Sequence, residues 1–244
     1  MSFASPRGEP TVPLKRWAVI VALAAFMAIL GANVVAPVGP WLHWIFKPLT
    51  TGLIVLMVWR IRLPVSSTYR RWMLGGLVFS LAGDVLLMLP QDLFVPGLLA
   101  FLCAHVCFLA AFLSDSGFAA RRWPLLACFA IAALNLCLLW GSIAPPLRVP
   151  VIVYVLVLAS MAGQALVRAR VFAVRDDAQV VSARWAAAGA LMFMLSDSLL
   201  AWNRFHGPIP LSSVWVLSTY YLALWWIARS VLRCGTKAAT GATH

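Results

Sequence analysis

Apolar residues run through this chain in long blocks, broken by short stretches rich in Pro, Gly or charge. The blocks fall near 17–36, 41–59, 72–89, 97–113, 123–141, 148–167, 185–203 and 210–231. At 1.5 Å rise per residue, each is long enough as a helix to cross most or all of a ~30 Å hydrocarbon core. The breaks include Ala36-Pro37-Val38-Gly39-Pro40 and Leu89-Pro90-Gln91-Asp92. The longest gap, Arg168 to Arg184, leaves no room for a soluble domain. The pattern predicts an all-α, polytopic membrane bundle of about eight transmembrane helices. It forms one domain over 17–231, with tails at 1–16 and 232–244. The first block has a basic flank, Lys15-Arg16, and a cleavage-like Val34-Val35-Ala36. Pro37 follows at once and the block exceeds a secretory core in length, so it reads as a retained span.

Composition excludes the soluble alternatives. Of 244 residues, 63% are hydrophobic and 11% charged, with a mean hydropathy of +0.93. Soluble domains carry about 25% charged residues. Five cysteines are too sparse for a disulfide scaffold. Cys103, Cys107, Cys128 and Cys137 lie in apolar runs and read as small hydrophobes, and Cys234 is in the tail.

The net charge of +12 would point to nucleic acid in a soluble protein. Here its placement reports topology, and no nucleic-acid partner is expected. Arg7, Lys15 and Arg16 precede the first span. Arg60, Arg62, Arg70 and Arg71 fill the second gap, Arg121 and Arg122 the fourth, and Arg168, Arg170, Arg175 and Arg184 the sixth. Arg229, Arg233 and Lys237 close the chain. Only Arg148 and Arg204 fall on the opposite side. By the positive-inside rule both termini are cytoplasmic. The short loops point to a bacterial inner membrane, with an endoplasmic-reticulum protein of the same pattern as the alternative.

Five of the seven acidic residues, Glu9, Asp92, Asp115, Asp176 and Asp177, lie in tails or loops. Asp84 and Asp197 lie inside spans. A carboxylate there costs roughly 2.5–3.5 kcal/mol on insertion scales, so it faces the bundle interior and marks a candidate site. Each is twelve residues from the basic end of its predicted span, roughly 18 Å deep. Lys47 falls near the same plane, either joining the carboxylates or snorkelling to the outer interface. If all three meet, one shared proton neutralises the set, leaving one acid and one conjugate base for general acid–base chemistry. His105, Asn135, Tyr154, Gln164 and Tyr220 are further polar side chains inside spans. Each alone serves equally as a helix-to-helix hydrogen bond. His43, His206 and His244 are interfacial or terminal, so no metal site and no cofactor are expected. Gly76 precedes Asp84 by eight residues and Leu86-Leu87 follows; Gly189 precedes Asp197 by eight and Leu199-Leu200 follows. The offset of four spans is consistent with a duplicated four-helix unit or with chance in Leu-rich helices.

Several segments resemble the lysoplasmalogenase (YhhN-like) family of multi-span membrane proteins. They are Lys47-Pro48-Leu49-Thr50, Gly76-Leu77-Val78-Phe79-Ser80-Leu81-Ala82-Gly83-Asp84, Ala100-Phe101-Leu102-Cys103-Ala104-His105, Pro150-Val151-Ile152-Val153-Tyr154, Met192-Phe193-Met194-Leu195-Ser196-Asp197-Ser198 and Thr219-Tyr220-Tyr221-Leu222-Ala223. The Gly-Asp and Ser-Asp segments are the specific ones. The resemblance implies an intramembrane hydrolase that cleaves the vinyl ether of a lysoplasmalogen to a fatty aldehyde and a glycerophospho-base. Its partners would be that lysophospholipid and the surrounding membrane lipid. Asp84 and Asp197 would be the catalytic pair, with Lys47, His105, Asn135, Tyr154 and Tyr220 binding substrate or supporting them. The rival class is a proton-coupled transporter, which uses buried Asp, Lys and His as a relay.

Overall fold

The computed structural model describes residues 13–34, 38–174 and 179–233. Glu9, Asp176, Asp177, Cys234, His244 and most of both tails lie outside them. The described residues form eight helices: α1 (Leu14–Asn33), α2 (Val38–Trp59), α3 (Ser67–Met88), α4 (Phe94–Leu113), α5 (Arg122–Leu139), α6 (Pro145–Val174), α7 (Val180–Ala201) and α8 (Ser212–Arg229). No β-strand is formed among the described residues.

Connections from α1 to α6 are eight residues at the longest. Such a segment, fully extended, spans at most ~28 Å, less than the ~30 Å rise of the helices it joins. Consecutive helices therefore run antiparallel. Around the bundle, α1, α2, α3, α4, α6, α7 and α8 pack in succession, and α1 returns to α8 to close a ring. α5 packs chiefly on α6, outside that ring.

The packing follows membrane logic. Large apolar side chains such as Leu23, Phe26, Ile45, Val78, Leu126, Leu134 and Leu156 point outward and exposed. Small residues line the contacts: Ala159, Ala162 and Gly163 on α6, Ala183, Ala186, Ala190 and Gly189 on α7. A Cβ on Gly189 would meet the Ala223 carbonyl and Ile227 of α8; one on Gly76 would strike the Phe108 ring of α4. These two glycines let α3 and α7 lie close against their successors.

Seven of the eight helices are long and apolar enough to cross a membrane. α8 falls short because it carries Ser212, Ser213, Ser218, Thr219, Tyr220 and Tyr221 in eighteen residues. It packs against α1, α2, α3 and α7, so its polar groups meet protein as well as lipid.

Three helices outrun the predicted spans at the basic end. α3 begins at Ser67, where the Ser66 hydroxyl caps it by accepting from the Tyr69 N–H. α7 begins at Val180 and α6 continues to Val174. Arg168, read as a gap residue, is thus inside α6 and fully buried. Its guanidinium donates to both Asp115 carboxylate oxygens at 2.8 and 2.7 Å and lies 4.7 Å over the Tyr69 ring. Gln164 belongs to the same end, donating to the Ser116 hydroxyl and the Gly117 carbonyl. Tyr69 and Ser182 reach Ser230 at the end of α8.

Removing one partner of a buried, bidentate pair leaves an uncompensated charge. Arg168→Met is expected to lower stability by about 3–5 kcal/mol. Asp92→Asn, which breaks the exposed pair with Arg204, is expected to cost under about 1 kcal/mol. Unfolding of both variants in one detergent checks the contrast.

Candidate active site

Asp84 lies four residues before the end of α3, and Asp197 four before the end of α7. The site is therefore nearer the end opposite the basic cluster than the sequence reading placed it, because α3 and α7 begin earlier than their apolar runs. A carboxylate near a helix C-terminus also meets the negative end of the helix dipole. Both need donors from other helices.

Asp84 is 1% exposed. Its Oδ2 accepts from the Thr51 hydroxyl of α2 at 2.6 Å and from the Tyr220 hydroxyl of α8 at 2.8 Å. Lys47 Nζ stands 3.8 Å from Oδ1. Lys47 has thus joined the carboxylate rather than snorkelling outward, and α2 runs unbroken through Pro48.

Asp197 has a different shell. Its Oδ2 accepts from the Tyr154 hydroxyl of α6 at 2.5 Å. His105 Nε2, from α4, lies 2.9 Å from the Tyr154 oxygen and 3.3 Å from Asp197 Oδ2. With its own proton engaged, the Tyr154 oxygen accepts from Nε2–H. His105 is fully buried, and its Nδ1 is left without a hydrogen-bond partner.

The two carboxylates do not share one shell. Between them stands a triangle of rings, Phe101, Phe193 and Tyr220, with centroids 5.5–6.2 Å apart. Phe193 also packs on His105, 4.7 Å between centroids. Asn135 bonds neither aspartate; its Oδ1 accepts from Trp202 Nε1 and so ties α5 to the end of α7.

Two chambers flank this array. The first lies among α3, α4, α5, α6 and α7. Its wall is apolar except for Asn135, Tyr154, Asp197 and Ser198. The second is more open, and His43, Lys47, Asn203, Ser212 and Ser213 give its lining a polar part. Leu87 and Leu200 line both. A single π-turn, Trp202–His206, extends α7 and adds Phe205 to the first chamber and Asn203 to the second.

The sequence reading overlooked Thr51 and left His43 at the interface. The spacing held a signal: His43, Lys47 and Thr51 recur every fourth residue and share a face of α2. Among the described residues no three His, Cys, Asp or Glu side chains gather as a metal site would require.

Fold and site together define a polytopic membrane protein whose helical core holds two separately hydrogen-bonded carboxylates, one of them on an apolar cavity. Residues 42–231 match the model of the YhhN family, and the chain belongs to that family. It is 36% identical over 169 residues to the human protein named Lysoplasmalogenase TMEM86B, covering 69% of this chain and 66% of that protein. Rat Lysoplasmalogenase TMEM86B is 32% identical over 195 residues, covering 79% and 74%. A relative in Escherichia coli O157:H7, named Uncharacterized membrane protein YhhN, is 32% identical over 131 residues, covering 52% and 61%. No solved structure matches the chain.

The Asp197 side chain is 12% exposed and opens on the apolar chamber, whereas Asp84 is 2% exposed and lines neither. A hydrophobic carbodiimide is therefore expected to modify Asp197 ahead of Asp84. Site-mapped mass spectrometry over a time course checks the order; equal rates at both would contradict the geometry.

Proposed function

We propose that this chain is a lysoplasmalogenase: an intramembrane hydrolase that cleaves the vinyl-ether bond of a lysoplasmenyl phospholipid. The observation that carries the reading is the Asp197 carboxyl, open to a cavity that is otherwise almost wholly apolar. Relatives bearing the same name support it.

A vinyl ether is hydrolysed by adding a proton to its β-carbon, which leaves an oxocarbenium ion. Water adds to the α-carbon and gives up a proton. The hemiacetal then collapses, its ether oxygen leaving with glycerol and its carbon becoming the aldehyde. One water is consumed and no oxidant is needed.

The alkyl chain fills the apolar chamber, which brings the vinyl ether to Asp197. Asp197 is the acid; its Oδ2 is held by Tyr154, backed by His105, and its Oδ1 is free of hydrogen bonds among the described residues. Asp84 is the second carboxylate. Positioned by Thr51, Tyr220 and Lys47 away from both chambers, it offsets the cation through its charge, while Asp197, its own proton spent, takes the proton from water. Glycoside hydrolases divide labour between two carboxyl groups in a similar way. The basic end of the bundle faces the cytoplasm, and both chambers lie toward the opposite face.

Purified wild type is expected to release aldehyde from a lysoplasmenyl lipid and none from the saturated ether. In D2O the aldehyde should carry one solvent deuterium on the carbon next to the carbonyl. Asp197→Asn and Asp84→Asn should each lower kcat by about 10²–10⁴-fold. Aldehyde without deuterium, or full activity in either variant, would sink the mechanism.

A further inference from the structure

The polar chamber plays no part in the scheme above, yet its wall has a definite chemistry. Lys47 supplies a cation with three donors. Its nearest charge partner, Asp84 Oδ1, is 3.8 Å away, and among the described residues no hydrogen bond involves its Nζ. The ammonium thus holds unused donors at the chamber wall. His43, one turn earlier on α2, spends its Nδ1–H on the Ala28 carbonyl at 3.1 Å, leaving Nε2 free of that bond. Asn203 uses its Oδ1 to accept from the Ile209 N–H, which leaves its amide NH₂ as a donor. Ser212 and Ser213 add two hydroxyls. Among the described residues no carboxylate lines this chamber; Asp84 is reached only through its pair with Lys47. One cation with several donors suits an anion with several oxygens.

Leu87 and Leu200, each three residues beyond its aspartate, stand between the two chambers and line both. A ligand with its chain in the apolar chamber and an anion in the polar one must cross there. In a lysoplasmenyl lipid only the glycerol separates the vinyl ether from the phosphate.

We propose that the polar chamber holds the phosphate of the substrate's headgroup, with Lys47 as its principal partner and Asn203, Ser212 and Ser213 around it. The glycerol then crosses between Leu87 and Leu200. The proposal rests on the lysolipid reading and deepens it: the enzyme selects phospholipids over neutral alkenylglycerols.

The test measures binding to the full chain in detergent, using two ligands that cannot be hydrolysed. One is a saturated-ether lysophospholipid, the other the same alkylglycerol without phosphate. Wild type is expected to bind the phospholipid about tenfold tighter or better. Lys47→Met should bring the two to parity. Because that change also unpairs Asp84, Ser213→Asp serves as the second variant. It leaves the Lys47–Asp84 pair in place and sets a negative charge in the chamber. It should weaken phospholipid binding about tenfold and leave the alkylglycerol unaffected. Unaltered selectivity in both variants would overturn the proposal. So would displacement of the lipid by inorganic phosphate as effectively as by its glycerophospho-base, since the chamber would then be a general anion site. Neither ligand contains a vinyl ether, so the result is separable from hydrolysis. Selective binding without aldehyde release would remove the reaction and keep the chamber; hydrolysis without selectivity would do the reverse.

Discussion

A carboxylate inside a water-poor bundle must find its hydrogen-bond donors in the protein itself. Asp84 draws on α2 and α8, Asp197 on α4 and α6. Each aspartate thereby ties its own helix to the one before it, α2 or α6, and to one further along the chain or back, α8 or α4. The same constraint governs the opposite end, where the buried Arg168 is met by the loop after α4. The hydrophobic effect offers no preference among helices surrounded by lipid. These polar contacts add directionality to the packing of the small residues.

The repeated pattern around the two aspartates has a counterpart in space. Both lie four residues from the end of their helix, both follow a glycine that admits the next helix, and both are followed by a leucine shared by the two chambers. Those correspondences agree with a duplicated four-helix unit. The shells have nevertheless diverged. Lys47, Thr51 and Tyr220 surround one carboxylate, Tyr154 and His105 the other. Two corresponding positions thus sit in different surroundings, one beside an ammonium and one beside an imidazole.

Hydrophobic block length alone was enough to read eight helices and the buried aspartates, because lipid tolerates few other patterns. Helix ends were less legible: the chain stays helical through Tyr69-Arg70-Arg71 and up to Val174, past the apolar residues that mark a span. The burial of Arg168 was invisible for the same reason, since arginine beside a span ordinarily reads as a cytoplasmic flank. Lys47, Tyr154, Tyr220 and His105 stood out as polar in apolar surroundings, and all four meet an aspartate. Asn135 stood out equally and instead joins two helices. Thr51 was hidden because threonine is unremarkable in a membrane helix, and the two chambers because cavity walls come from many helices.

The π-turn at the end of α7 has a consequence for how such a site changes. A π-turn holds one residue more than an α-turn, and one residue is worth about 100° of rotation. Everything beyond Ala201 is turned by that step, and Asn203 and Phe205, two residues apart within the turn, face different chambers. Substitution can enlarge or narrow either chamber by degrees. The partition between them is indexed to a whole residue and moves only in steps: one residue inserted or removed here re-aims both side chains at once.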